Sequence, residues 1–127
     1  MKFIASDYLP LAIGSYSPAV KVHGMVYTSA QVPITLDGTM VERDIKVQTR
    51  QVLTNLRTLL EDAESAMDKV VKVSVYLENI DDFGVVNVLF AEAFGEHKPA
   101  RSTICVKSLP KNSMIMIDAI ALANDYH

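Results

Sequence analysis

At 127 residues the chain falls within the size range of one domain, long enough to bury a core without disulfides or metals. Its net charge of −3 comes with scattered lysines and arginines, which excludes the concentrated basic patch that holds phosphate backbones, so no nucleic-acid partner is expected. A single cysteine, Cys105, excludes an internal disulfide, and a mean hydropathy of +0.19 with half of the residues hydrophobic leaves more apolar surface than one small core can hide.

In chain order, the start from Met1 is broken by Asp7 before a secretory apolar core could form, and no stretch approaches the roughly 18 apolar residues of a membrane span. A cytoplasmic protein with no membrane partner is expected. Gly14-Ser15-Tyr16-Ser17 has one glycine and no following lysine, so it is not a phosphate-cradling loop. A strand fits Gly24–Gln31, and Asp37-Gly38 reads as the turn between two short strands. From Asp44 to Ala63, Ile45, Val52, Leu53, Leu56, Leu59 and Leu60 share one face of a helix. Val71, Val73, Val75 and Leu77 then alternate with Lys72, Ser74 and Tyr76, the period of a strand with one buried face. A second amphipathic helix follows Asp81-Asp82, which suit its N-cap, and ends at Gly95. Strands over Ser102–Val106 and Met114–Leu122 close the chain.

The last strand is apolar on both faces, with Ile115, Ile117 and Ala119 on one and Met114, Met116 and Ile120 on the other. Strands alternating with helices favour right-handed crossovers, which stack both helices on one side of the sheet. The other face needs a partner, so self-association through it is expected, and residues 1–127 read as one domain without a linker.

Metal and cysteine–histidine chemistry are not expected: His23, His97 and His127 lack ligand spacing, and Cys105 has no neighbouring imidazole. Arg101 is the most informative residue. In Lys98-Pro99-Ala100-Arg101-Ser102-Thr103 it stands at the start of an apolar strand, where its planar fork can engage a carboxylate in two hydrogen bonds. Its bland alternative is a surface ion pair with an ordinary acid. Tyr16, in a loop, and Ser29, ending a strand, can offer hydroxyls to a ligand, though both residue types are common in purely structural roles there. Asn87 lies within the second helix, where a surface amide is the ordinary reading. Glu61-Asp62, Glu64 and Asp81-Asp82 read as solvated helix ends.

Taken together, the segments Ile13-Gly14-x-Tyr16-Ser17, Ser29-x-Gln31-Val32-Pro33, Asn55-Leu56, Asp68-Lys69-Val70-Val71-Lys72, Val86-Asn87, Pro99-Ala100-Arg101-Ser102, Leu109-Pro110 and Ala119-Ile120-Ala121 resemble the reactive-intermediate deaminase family, also known as YjgF or L-PSP endoribonuclease. The resemblance implies a chorismate-mutase-like α+β fold, a mixed six-stranded sheet with two helices on one face, assembled as a homotrimer with clefts between subunits. It implies hydrolysis of reactive enamines and imines, such as 2-aminoacrylate, to a 2-oxo acid and ammonia, without a cofactor. The implied ligand is a small carboxylate-bearing molecule, a 2-imino or 2-oxo acid. By the same resemblance Arg101 grips its carboxylate, Tyr16 and Ser29 are cleft hydroxyls with Tyr16 supplied across the interface, and Thr103 and Ala30 turn backbone groups to the ligand. Asn87 matches an asparagine near the cleft, and Arg101, Tyr16 and Thr103 are the implied catalytic set.

The chain departs from the family pattern at Ser15, Ala30 and Thr103, where proline, glycine and cysteine are usual. The larger departure is Met116, which stands where active deaminases hold the attacking water with a glutamate. A thioether cannot polarise water as a carboxylate does, and loss of one acid–base group typically costs about 10²–10⁴-fold in rate. Asp118 lies on the same strand face, two residues and roughly 6–7 Å further on, and is expected to be structural rather than a substitute. A 2-oxo acid binding or sensing protein is therefore the alternative to a deaminase. Ribonuclease, from the older name, is opposed by the acidic charge, and chorismate mutase would rest on fold alone.

Overall fold

The computed structural model describes residues 1–5 and 16–124. Two eight-residue strands, β4 (Val70–Leu77) and β6 (Ile115–Leu122), run antiparallel in its sheet, and their alternation decides which face is buried. Val73, Val75 and Leu77 lie level with Ala119, Ile117 and Ile115, all at most 2 % exposed. Ser74, Tyr76, Met116 and Asp118 point to the opposite face and are half-buried. With β1 (Lys2–Ile4), β2 (Ala19–Val22), β3 (Met25–Thr28) and β5 (Ala100–Cys105), the strand order is β1-β2-β3-β6-β4-β5. Every neighbouring pair is antiparallel except β4 with β5, so the sheet is mixed. A parallel pair needs a long crossover, here the helix between the two strands.

Both helices bury their apolar stripe against the Ile115–Ile117 face. In α1 (Ile45–Asp62) Val52, Leu56, Leu59 and Leu60 are fully buried, and the Asp44 side chain caps the helix by accepting from the Lys46 and Val47 N–H groups at 2.9 and 3.1 Å. In α2 (Phe83–Phe94) the buried residues are Val86, Leu89, Phe90 and Phe94. Gly95 ends α2 at φ +63°, its N–H bonded to Ala91 O at 2.9 Å, a conformation glycine adopts without strain. The two helices leave the second sheet face open, with Tyr27 among its exposed apolar residues. Among the described residues no helix is long and apolar enough to cross a membrane.

Three expectations are corrected. Asp81 and Asp82 do not cap α2 with their side chains; a 3-10 turn (Ile80–Asp82) precedes it and moves the cap upstream to Asn79, whose side chain accepts from the Asp81 N–H at 3.0 Å. Val71 is 45 % exposed rather than buried, because the register shifts between Val70 and Lys72 and Val70 takes the inward place. Asp37-Gly38 does form a turn, with Gly38 at φ +85°, but the flanking strands reduce to one bridge, Ile34 with Met40. Reading along the chain missed β2, a four-residue strand joined to β3 through His23 and Gly24, both at positive φ, as a tight hairpin requires.

Candidate functional site

Arg101 is the second residue of β5, level with Val73 of β4, and so projects to the helix-covered face at the sheet edge. There its guanidinium carbon lies 5.4 Å from the centre of the Phe83 ring and 4.8 Å from that of Phe90. Phe83, Asn87 and Phe90 fall at i, i+4 and i+7 of α2 and share one stripe, so exposed Asn87 sits between the two rings. Among the described residues the guanidinium makes no hydrogen bond or ion pair. The ordinary surface ion pair is therefore absent: the cation is oriented by aromatic faces while its five donors stay available. Thr103, two residues on, points to the same side of β5 and is half-buried.

Tyr16, Ser29, Ala30 and Met116 line one cleft of about 930 Å³. Its remaining wall comes from the segment between β3 and α1, including Val32, Ile34 and Leu36, and from Pro110 and Lys111. Ser29 anchors the Tyr16 segment: its hydroxyl donates to Ser17 O at 2.7 Å and its N–H to Pro18 O at 2.8 Å. Gln31 continues the sheet by exchanging backbone hydrogen bonds with Ile117 at 2.8 and 3.2 Å, which brings Ala30 and Met116 to the same cleft. Tyr16 is 56 % exposed. Ile13, Gly14 and Ser15 of the same motif lie outside the described residues.

The two groups cannot meet within one chain. Met116 faces the open side of β6, whereas Arg101 faces the helix side of β5, two strands and about 10 Å away. Asp118, on Met116's face, is not among the residues lining the cleft. It accepts a hydrogen bond from the Tyr76 hydroxyl at 3.2 Å. Burial pushes its carboxyl above the usual range, only partly offset by hydrogen bonds from Tyr76 and Ser74. Burial and the neighbouring carboxylate push the Tyr76 phenol up as well.

Phe83 and Phe90 as holders of Arg101 went unread in the sequence, although their i, i+7 spacing around Asn87 is visible there. So did Asn55, whose buried amide donates to Val32 O at 3.1 Å and Ile34 O at 2.9 Å and so ties the cleft wall to α1. Among the described residues no three His, Cys, Asp or Glu side chains gather as a metal site.

A family model described as Endoribonuclease L-PSP matches residues 8–123. The chain is 44% identical over 119 residues to a RutC family protein of Pyrococcus horikoshii, covering 93% of this chain and 94% of that protein. It is 38% identical over 124 residues to the 2-iminobutanoate/2-iminopropanoate deaminase of Salmonella typhimurium, covering 95% and 97%. A solved structure of E. coli TdcF with bound serine superposes with a TM-score of 0.92 at 31% identity, covering 98% of this chain and all of that one.

Proposed function

The chain belongs to the Endoribonuclease L-PSP family, and on that footing we propose that it hydrolyses reactive 2-imino and enamine acids, such as 2-aminoacrylate, to 2-oxo acids and ammonia in clefts shared between neighbouring copies of a homotrimer. The observation that carries this reading is Arg101, a cation held by two rings with no acid bonded to it among the described residues. A relative named for imine deamination and a relative with bound serine both support a small carboxylate as its partner.

In this reading Arg101 of one copy takes the substrate carboxylate in two parallel N–H···O bonds, with Asn87 and Thr103 beside it. A second copy brings Tyr16, Ser29 and Ala30 to the imine carbon. Because the Ser29 hydroxyl proton is committed to Ser17 O, its oxygen meets the substrate as an acceptor, suited to an iminium N–H. Water adds to the iminium carbon and the carbinolamine expels ammonia. That carbon is already electrophilic, so holding it and a water in line is the main catalytic contribution. Met116 supplies no carboxylate for that water, and the reaction is expected to be slow by about 10²–10⁴-fold.

A second reading rests on the same methionine: a protein that binds or senses 2-oxo acids without efficient turnover. Generating 2-aminoacrylate with a serine or threonine dehydratase and following 2-oxo acid release separates the two. Release above the uncatalysed rate supports the deaminase; none, with 2-oxobutyrate still bound, supports the sensor. Arg101→Ala should lower 2-oxobutyrate affinity by about a hundredfold or more while leaving the fold intact, and retained affinity would remove the role assigned here.

A further inference from the structure

Within the cleft the polar and charged lining residues, Tyr16, Ser29, Asp37 and Lys111, are outnumbered by apolar ones. Val32, Ile34, Leu36, Pro110 and Met116 all line it. Leu36 is 55 % exposed beside the Asp37-Gly38 turn, a large apolar side chain held out of the core at the cleft. As it stands in one chain, open on one side, the cleft measures about 930 Å³, in the upper range of small-molecule sites and larger than a three- or four-carbon acid.

The wall is also built to keep its shape. Asn55, only 4 % exposed, holds Val32 and Ile34 by their carbonyls and receives the Gln51 amide on its own oxygen at 2.8 Å. Thr35 N–H bonds Thr39 O at 2.9 Å and Val41 N–H bonds Pro33 O at 3.1 Å, closing the segment on itself. The Asp37 carboxylate accepts from the Thr35 hydroxyl and the Thr39 N–H, and these bonds hold it below its usual range. A preorganised apolar wall gains affinity by burying a matching side chain without ordering cost.

From this we propose that the cleft selects 2-imino and 2-oxo acids carrying a branched or otherwise bulky apolar side chain, with Met116 and Leu36 as specificity-determining contacts. The inference rests on the small-carboxylate reading above and specifies the substrate class within it. Met116 then has a positive role: an unbranched, polarisable thioether adapts to apolar side chains of different shape, where a glutamate would oppose them. Lys111, at φ +57° on the rim, is the one lining cation among the described residues, and its competing preference is for a second anionic group.

Calorimetric titration of the full-length protein with 2-oxobutyrate, 4-methyl-2-oxopentanoate and 2-oxoglutarate tests the proposal without requiring turnover. The branched acid should bind at least about tenfold more tightly than 2-oxobutyrate, the effect of two further buried methylenes. Leu36→Ser and Met116→Glu should each shrink that ratio to within about threefold; Leu36 is exposed, so its variant is not at risk of misfolding. Equal or tighter binding of 2-oxobutyrate overturns the selectivity, and preference for 2-oxoglutarate overturns it in favour of Lys111. Failure of all three acids to bind removes the small-carboxylate reading itself, a result distinct from lost discrimination.

Discussion

At the β5 edge a cation is steadied by two phenyl rings and, among the described residues, by no acid, whereas the cleft beside β3 and β6 is steadied by hydrogen bonds and faced chiefly by carbon. The difference follows from what each has to present. A carboxylate clamp needs its donors unspent, so its support must come from contacts that use none of them, and aromatic faces do this. A wall that recognises an apolar group needs a fixed shape, which backbone and amide hydrogen bonds provide while leaving the surface apolar. In the proposed reading neither region is a complete site by itself, and within one chain the sheet separates them. Heterologous contact between the edge of one copy and the cleft of the next would join them, and such contacts close into rings when the rotation allows.

Subunit mixing would break this comparison most sharply. Arg101→Ala and Tyr16→Phe/Ser29→Ala variants are each expected to lose most imine hydrolysis, one through the edge and the other through the cleft. In the proposed trimer, unfolding the two variants together in equal amounts and refolding them should leave about a quarter of all clefts, and about a third of those in mixed trimers, pairing an intact edge with an intact cleft, and activity should return accordingly. Absence of recovery in verified mixed trimers would mean that the two regions do not serve one site.

How much of this was legible in the sequence depended on range. The α1 stripe and the β4 and β6 alternation are local periods, and they were readable to within a residue or two. Val71 was misassigned because a register shift belongs to the pairing of two strands and leaves no mark in either alone. Arg101 was legible as a candidate from its proline-led entry, but its lack of an acid partner depends on α2 packing over β5, which only the fold brings about. The grouping of Tyr16, Ser29, Ala30 and Met116 came through resemblance and not through spacing, since 100 residues separate its ends. Asn55 was legible only as part of a motif; its work on the cleft wall is a contact across more than twenty residues.

A milder change sharpens the account of the edge. Phe83 is 38 % exposed, so Phe83→Leu should cost little stability, but it removes one of the faces on which Arg101 rests. A cation–π contact at a partly exposed site corresponds to about a two- to fivefold change. The 2-oxobutyrate affinity should fall by that factor, with the preference for apolar side chains unchanged because the wall belongs to the other region. A change in selectivity without loss of affinity would mean that the ring acts on the substrate directly and not through the arginine.

The smallest expected effect concerns the face between the two regions. Asp118 is half-buried there, with Lys72 of β4 on the same face; the lysine donates to Ser102 at 2.9 Å and makes no ion pair with Asp118. Because burial raises the folded carboxyl above its ordinary value of 3.8, the folded chain binds this proton more tightly than the unfolded chain does. The sign follows: this group's contribution to stability increases as pH falls through the raised pKa toward 3.8 and is lost as pH climbs to neutrality. Asp118→Asn keeps an acceptor for the Tyr76 hydroxyl and removes the charge. The variant should be more stable than the parent at pH 7 by under about 1 kcal/mol, discounted for partial exposure, and the gap should close near pH 4. Thermal unfolding from pH 4 to 7 measures it, and a variant less stable at pH 7 would mean that the carboxylate is favourably engaged on this face, leaving Met116's neighbour open to a part in the cleft.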